Sequence, residues 1–276
     1  MAAPPYPKIE NLYARAADGK SLAIGTFRRD TTQLITRWLA TEKIDGTNIR
    51  VSLELNPGFH PNDGSPGAWG VHFYGRTNKA QMPDFIQEYL EATFTLENMR
   101  TLWRGQRQCK RCDGTGREDS GQPKILSELA EPFPYACDCV EPYPITLYGE
   151  AYGARIQRGG GDYRKDGDVS FRLFDVLVAE KHWLNWENVV GVAKRVGIKT
   201  VPAVPVIEYG SPAMAVRSPL AVQADIVDFV RDGFKSIVAD EEGTPRLAEG
   251  IVARTDPYLF DNNGRRVVFK TKTKDF

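Results

Sequence analysis

Apolar and β-branched positions between Trp38 and Leu55 fit two strands that meet at Asp45-Gly46, a short turn signal. A third strand is predicted over Val71–Gly75, after a loop at residues 56–70 that is rich in Pro, Gly and Asn. ITLYGEAYG (145–153) and VSFRLFDVLV (169–178) alternate and carry aromatic and β-branched residues, as buried strands do. The last strands are expected at Gly250–Arg254 and Arg266–Lys272, on either side of the turn Asp261-Asn262-Asn263-Gly264. Phe85, Ile86, Tyr89, Leu90 and Phe94 recur at helical spacing and predict a helix from Pro83 to about Trp103, with proline in its first turn. Residues 186–196 and 218–231 read as amphipathic helices, the second entered through Ser218-Pro219. Residues 1–30, with Pro4, Pro5 and Pro7, read as an irregular lead-in holding one short element. Residues 104–143 change character around CKRC and CDC and read as an insertion carrying its own staple, within one domain over 1–276.

Composition narrows this picture. Lys and Arg number 36 and so do Asp and Glu, which argues against a coat of positive charge but leaves room for a local basic groove. No run of 18 apolar residues occurs, and the start, MAAPPYPKIE, lacks a basic segment followed by an apolar core. The expectation is therefore a cytoplasmic protein with no membrane partner. Thiols stay reduced there, so the four cysteines, Cys109, Cys112, Cys137 and Cys139, read as metal ligands before disulfides.

Lys43 stands two residues before Asp45-Gly46, where a tight bend presents its amine. A nucleophilic lysine needs cations, burial or a metal nearby, since its ordinary pKa of about 10.4 keeps it protonated. Lys270 and Lys272, spaced i, i+2 on a predicted strand, share one face and with Arg76 would form a cationic pocket for a phosphate. The plainer alternative for Lys-Thr-Lys-Thr-Lys is a solvated edge strand. Glu150 and Glu249 sit at strand ends, suited to a metal ion or a ribose hydroxyl, or else to the bare surface. Phe171 and Phe174 are core residues or, for one facing a pocket, a stacking platform for a purine; Asp175 after them caps a turn or supports a ligand.

Taken in order, KIDG, GRT, YGEAYG, FRLFD, EGIVAR and FKTK resemble the covalent nucleotidyltransferases, the polynucleotide ligases and mRNA capping enzymes. EKIDGTN with YGEAYG and IQRGGGDY is most similar to the nick-sealing type of phage RNA ligase. The resemblance spans residues 40–272 apart from the insertion. It implies an α+β nucleotidyltransferase fold of antiparallel sheets with flanking helices, ATP with Mg or Mn, and a broken or nicked nucleic acid, RNA foremost, as partner. A phage-encoded enzyme would work in the host cell cytoplasm.

By that resemblance Lys43 would attack the α-phosphate of ATP and carry AMP. Glu42 and the backbone beside it at Ile44 would face the adenine, and Phe171 would stack on it. Arg76 and Glu150 would hold the ribose, Glu249 the catalytic metal, and Lys270 and Lys272 the α-phosphate. Asp45 and Asn48 would support the turn and the metal-phosphate geometry. AMP would then pass to a 5′-phosphate, and a 3′-hydroxyl would displace it to seal the strand. A small ATP-dependent DNA ligase is the alternative, because these motifs barely distinguish the sugar; a non-catalytic nucleic-acid-binding module is a second. The chain stops at Phe276, shortly after Lys272, which argues against a capping enzyme. Cys109-x-x-Cys112 and Cys137-x-Cys139 supply four soft ligands in two close pairs, as a structural zinc site requires. Arg104, Arg107, Lys110, Arg111 and Arg117 crowd the first pair, so the insertion either grips backbone phosphates or is a stapled solvated loop.

Overall fold

Strands carry most of the architecture. The computed structural model describes residues 3–19, 21–59, 68–103, 143–153, 155–157, 163–164, 167–204 and 219–276. The strands are β1 (Glu10–Asn11), β2 (Tyr13–Arg15), β3 (Leu22–Phe27), β4 (Trp38–Lys43), β5 (Thr47–Leu55) and β6 (Trp69–Tyr74), then β7 (Ile145–Gly153), β8 (Val169–Val178), β9 (His182–Trp183), β10 (Lys199–Thr200), β11 (Gly250–Thr255) and β12 (Val268–Lys272). The helices are α1 (Asp84–Thr93), α2 (Leu96–Arg100), α3 (Trp186–Val196), α4 (Pro219–Asp232) and α5 (Ile237–Glu241). Among the described residues no helix is long and apolar enough to cross a membrane.

One sheet runs β1-β12-β11-β4; a larger one runs β10-β8-β7-β5-β6, with β9 on β8. Most pairings with a defined register are antiparallel, but β1 joins β12 and β10 joins β8 in parallel. The mixed α+β class expected from the sequence holds, with parallel pairing added at two sheet edges. β5 is buried from Ile49 to Glu54, as a strand covered on both faces must be, which explains its near-continuous run of strand formers.

Three local expectations change. β4 and β5 do not form a hairpin through Asp45-Gly46; they belong to different sheets, so the dipeptide marks a crossing between sheets. The helix expected over 83–103 breaks after Phe94, because Thr95 accepts from the Asn98 amide at 3.2 Å and caps a new helix, α2. The lead-in holds three short strands in place of one, and β1 exists only because β12, from the far end of the chain, offers it an edge.

Within the chain two compact units can be described. The first comprises Met1–Pro5, Asn48–Gly149 and Phe171–Thr200, and the second Tyr6–Thr47, Glu150–Ser170 and Val201–Phe276. In the first, Trp69 meets Trp103 edge-on at 5.0 Å, and Trp103 Nε1 donates to the Tyr143 carbonyl at 2.9 Å. In the second, Trp38, Ala40, Ile251, Ala253 and Phe269 of the sheet form a core with Val222, Ile226, Val227 and Val230 of α4. The four α4 positions recur at helical spacing, so one face of the helix covers one face of the sheet.

Candidate active site

Register places the central residues of the second unit. Gly250 opens β11 and lies opposite Lys43 of β4 on one side and Lys272 of β12 on the other. Facing residues in a sheet project to the same side, so two lysines flank a position that has no side chain. Only glycine fits there: φ is +152°, and a Cβ would stand 2.2 Å from the Thr271 carbonyl oxygen. Glu249, one residue earlier, bridges the pair. Lys43 Nζ donates to its Oε2 at 2.5 Å and Lys272 Nζ to its Oε1 at 2.5 Å. Burial alone would raise the Glu249 pKa, but the two ammonium groups outweigh it and hold the carboxyl below its ordinary value. Side-chain exposures of 21% for each lysine and 11% for the glutamate leave this trio open to a small ligand, yet poorly screened by water. Lys270 shares the partly exposed face of β12 with Lys272, opposite Val252 and Asn11.

The bend after Lys43 is held by two amides. The Gly46 amide donates to the Glu150 carboxylate, and a Cβ on Gly46 would lie 2.2 Å from the Ala151 carbonyl oxygen. Glycine is thus required for close approach to β7, not for a hairpin. Burial pushes Glu150 up to about 7; Lys43 and the Gly46 amide pull down, while Glu249 and Asp45 push further up. The Asp45 amide donates to Tyr163 Oη at 3.2 Å. Tyr163 is fully buried, with the Arg246 guanidinium 4.6 Å from its ring centre and Tyr152 edge-on at 5.7 Å. Burial pushes its phenol up to about 12, so it remains a neutral hydroxyl. Tyr163 and Arg246 were not singled out from the sequence; the only signal was the aromatic residue after the glycines of IQRGGGDY.

Other expected residues sit elsewhere. Glu42 is buried, and its carboxylate accepts from amides at the start of α5. In the first unit, Phe171 is 3% exposed, edge-on to Phe94 at 5.2 Å and pressed against Gly149, where a Cβ would fall 2.0 Å from its ring. It packs there as a buried ring. Arg76 is exposed just past β6. Its loop is pinned by the buried Arg50, which donates to the Gly75 carbonyl at 2.9 Å, to Asn78 Oδ1 at 2.8 Å and to the Ala3 carbonyl. Asn48 Oδ1 is buried without a hydrogen-bond partner among the described residues. Cys109, Cys112, Cys137 and Cys139 lie outside the described residues, as does the insertion up to residue 142. Among the described residues no three His, Cys, Asp or Glu side chains are grouped to hold a metal ion on their own.

The arrangement can do one thing well. Two ammonium groups already share the oxygens of one anion, and phosphate oxygens present similar acceptors at similar spacing. The RNA ligase family model matches residues 36–272. Among solved structures, the chain is similar at 15% identity to a Naegleria gruberi RNA ligase mutant with ATP and Mn, with a TM-score of 0.49 over 87% of this chain and 51% of that one. It is similar to the Naegleria gruberi RNA ligase with PPi at 15% identity and a TM-score of 0.49, over 98% and 61% of the two chains. The chain thus spans about half the length of the first of these. No curated protein matches it.

Proposed function

The chain belongs to the RNA ligase family, and we propose that it seals breaks between 3′-hydroxyl and 5′-phosphate ends of RNA with ATP, by way of AMP carried on Lys43. The observation that supports this most is the single rung Lys43, Gly250, Lys272 with Glu249 bridging both amines. A carboxylate held between two amines supports this reading, because the same amines could stabilise phosphate oxygens as charge develops on them. The Lys43 ammonium would first release a proton to water; its free amine would then form the Nζ–phosphorus bond to the α-phosphate as the bond to pyrophosphate breaks, and the nitrogen would pass a second proton to water. Lys272 would stay on the transferred phosphate, and the Gly46 and Asp45 amides would keep the bend in place through Glu150 and Tyr163.

A divalent ion fits this site only as a shared ligand. Glu249 and Glu150 supply hard oxygen donors beside Lys43, with Asp45 close enough to act on Glu150 electrostatically, but no closed protein cage exists among the described residues. Glu249 and Glu150, with Asp45 beside them, would be the groups to hold Mg²⁺ or Mn²⁺, which would supply charge neutralisation at the phosphates. The ribose role of Arg76, the base-stacking role of Phe171 and the phosphate role of Lys270 remain part of the proposal by family resemblance. So does a zinc ion on Cys109, Cys112, Cys137 and Cys139, which rests on their spacing. Zinc in the purified protein at one per chain, lost in Cys109→Ser, is the expected result for that element.

Radiolabelled ATP tests the central claim. Incubated with the protein and Mg²⁺, it should leave label on the chain that acid does not wash off, and Lys43→Ala should take up none. Label that persists in Lys43→Ala, or its absence in the wild type, overturns the mechanism. Sealing assays on nicks ending in a ribose or a deoxyribose 3′-hydroxyl then separate RNA from DNA joining.

A further inference from the structure

Glu42 comes immediately before the proposed nucleophile and is 1% exposed. Its carboxylate accepts from Ser236 Oγ, from the Ile237 amide at 2.9 Å and from the Val238 amide at 3.2 Å. These donors stand at the N-terminus of α5, where Ser236 in turn accepts from the Ala239 amide at 3.0 Å. A carboxylate has about four acceptor positions, so most of its capacity is already spent within the protein.

The stretch so capped is a closed excursion. Ser236 N donates to the Arg246 carbonyl at 2.8 Å and Ala248 N to the Phe234 carbonyl at 2.9 Å, with Lys235 and Leu247 bridged between them. The chain leaves at Phe234 and returns at Ala248, directly before Glu249. The main chain of Glu42 is fixed as well: its amide donates to the Pro202 carbonyl at 2.9 Å, and it stands opposite Ile251 of β11.

We infer that Glu42 is a positioning residue that ties the strand carrying Lys43 to the excursion delivering Glu249, and so sets where the Glu249 carboxylate stands against the Lys43 amine. A carboxylate suits this place because every donor aimed at it is an N–H or O–H and the start of a helix favours negative charge. A glutamine there would turn an amide NH₂ toward some of those donors. On this inference the Glu42 carboxylate serves the anchoring, not the base. The kinetic part of this inference rests on the reading of Lys43 as nucleophile; the anchoring does not.

The test compares the full chain with Glu42→Gln, Ser236→Ala and Ser236→Thr. Single-turnover formation of lysyl-AMP is measured against ATP and GTP concentration, together with hydrogen exchange at amides 237–239 and 249–251. Loss of a charge-assisted bond should lower the maximal rate of Glu42→Gln and Ser236→Ala on the order of 10- to 100-fold. Half-saturating ATP and the preference for ATP over GTP should stay within about twofold of wild type, as removal of a group that does not touch the base requires. Ser236→Thr, which keeps the hydroxyl, should retain the wild-type rate, and exchange should quicken at both amide groups in the two damaged variants. A raised half-saturating ATP or a relaxed nucleotide preference at unchanged maximal rate would place Glu42 on the base and overturn the inference. Wild-type rate and exchange in Ser236→Ala would do so too, and that variant decides the matter if Glu42→Gln does not fold. If the wild type takes up no label, the ligase reading fails separately, and the exchange measurements alone decide the anchoring.

Discussion

Glu150 shows how one residue can be shaped against stability. Its folded pKa of about 7 lies above the ordinary 4.5, so folding favours the protonated carboxyl. That contribution is fully present below pH 4.5 and is lost as pH rises through 7. Glu150→Gln keeps the shape and removes the charge, so urea unfolding in chelator should find wild type losing stability relative to the variant between pH 4.5 and 8. The shift sets a ceiling of about 3 kcal/mol on that difference. A difference flat with pH would mean that the carboxyl is not desolvated. Lys43, Asp45 and Glu249 all act on this carboxylate, and the proposed binding of a cation and phosphates beside it would give a fold reason to hold it so unfavourably.

Elements were legible where the pattern is local and opaque where it depends on a distant partner. β8 and α3 fall where alternation and helical spacing put them, because both carry their periodicity in their own residues. β1 and the separation of β4 from β5 could not be read, since pairing is decided by strands more than 200 positions away. Lys43, Glu249 and Lys272 were legible as an ordered set of motifs, whereas Tyr163 emerges only when residues 118 apart meet, and Ser236 with the capping role of Glu42 when residues 194 apart meet. Two expectations belong to this scale. Gly191 lies exposed in α3 with nothing within 4 Å of an added Cβ, so Gly191→Ala should stabilise by about 0.5–1 kcal/mol, read as a higher midpoint in urea. A midpoint that falls would show that α3 is not the unstrained helix described. Trp103 and Tyr143, which flank residues 104–142, are joined by a hydrogen bond, so a short Gly-Ser linker in place of 104–142 should leave the unfolding free energy within about 1 kcal/mol of wild type. Loss of cooperative unfolding would overturn that expectation.

Across the whole molecule, the proposed chemistry depends on closing the chain upon itself. Lys43 is early in the sequence, and its partners Glu249 and Lys272 arrive 206 and 229 positions later, brought to one rung because β11 lies between β4 and β12. The two lysines therefore separate by role, although they share a carboxylate. In the proposed mechanism Lys43 would form a covalent bond in the first step only; with AMP on a 5′-phosphate, attack by the 3′-hydroxyl would need no amine nucleophile. Lys272 would neutralise phosphate charge, which develops in every step. Lys43→Ala should accordingly fail to take label from ATP yet seal a pre-adenylylated RNA nick within about tenfold of the wild-type rate. Lys272→Ala should lose roughly 100-fold or more in both reactions, the scale expected for removing one preorganised donor to a transition-state oxyanion. A Lys272→Ala protein that labels normally would reduce the bridge to Glu249 to a surface ion pair, and a Lys43→Ala protein unable to seal the adenylylated nick would give that lysine a second role beyond the nucleophile.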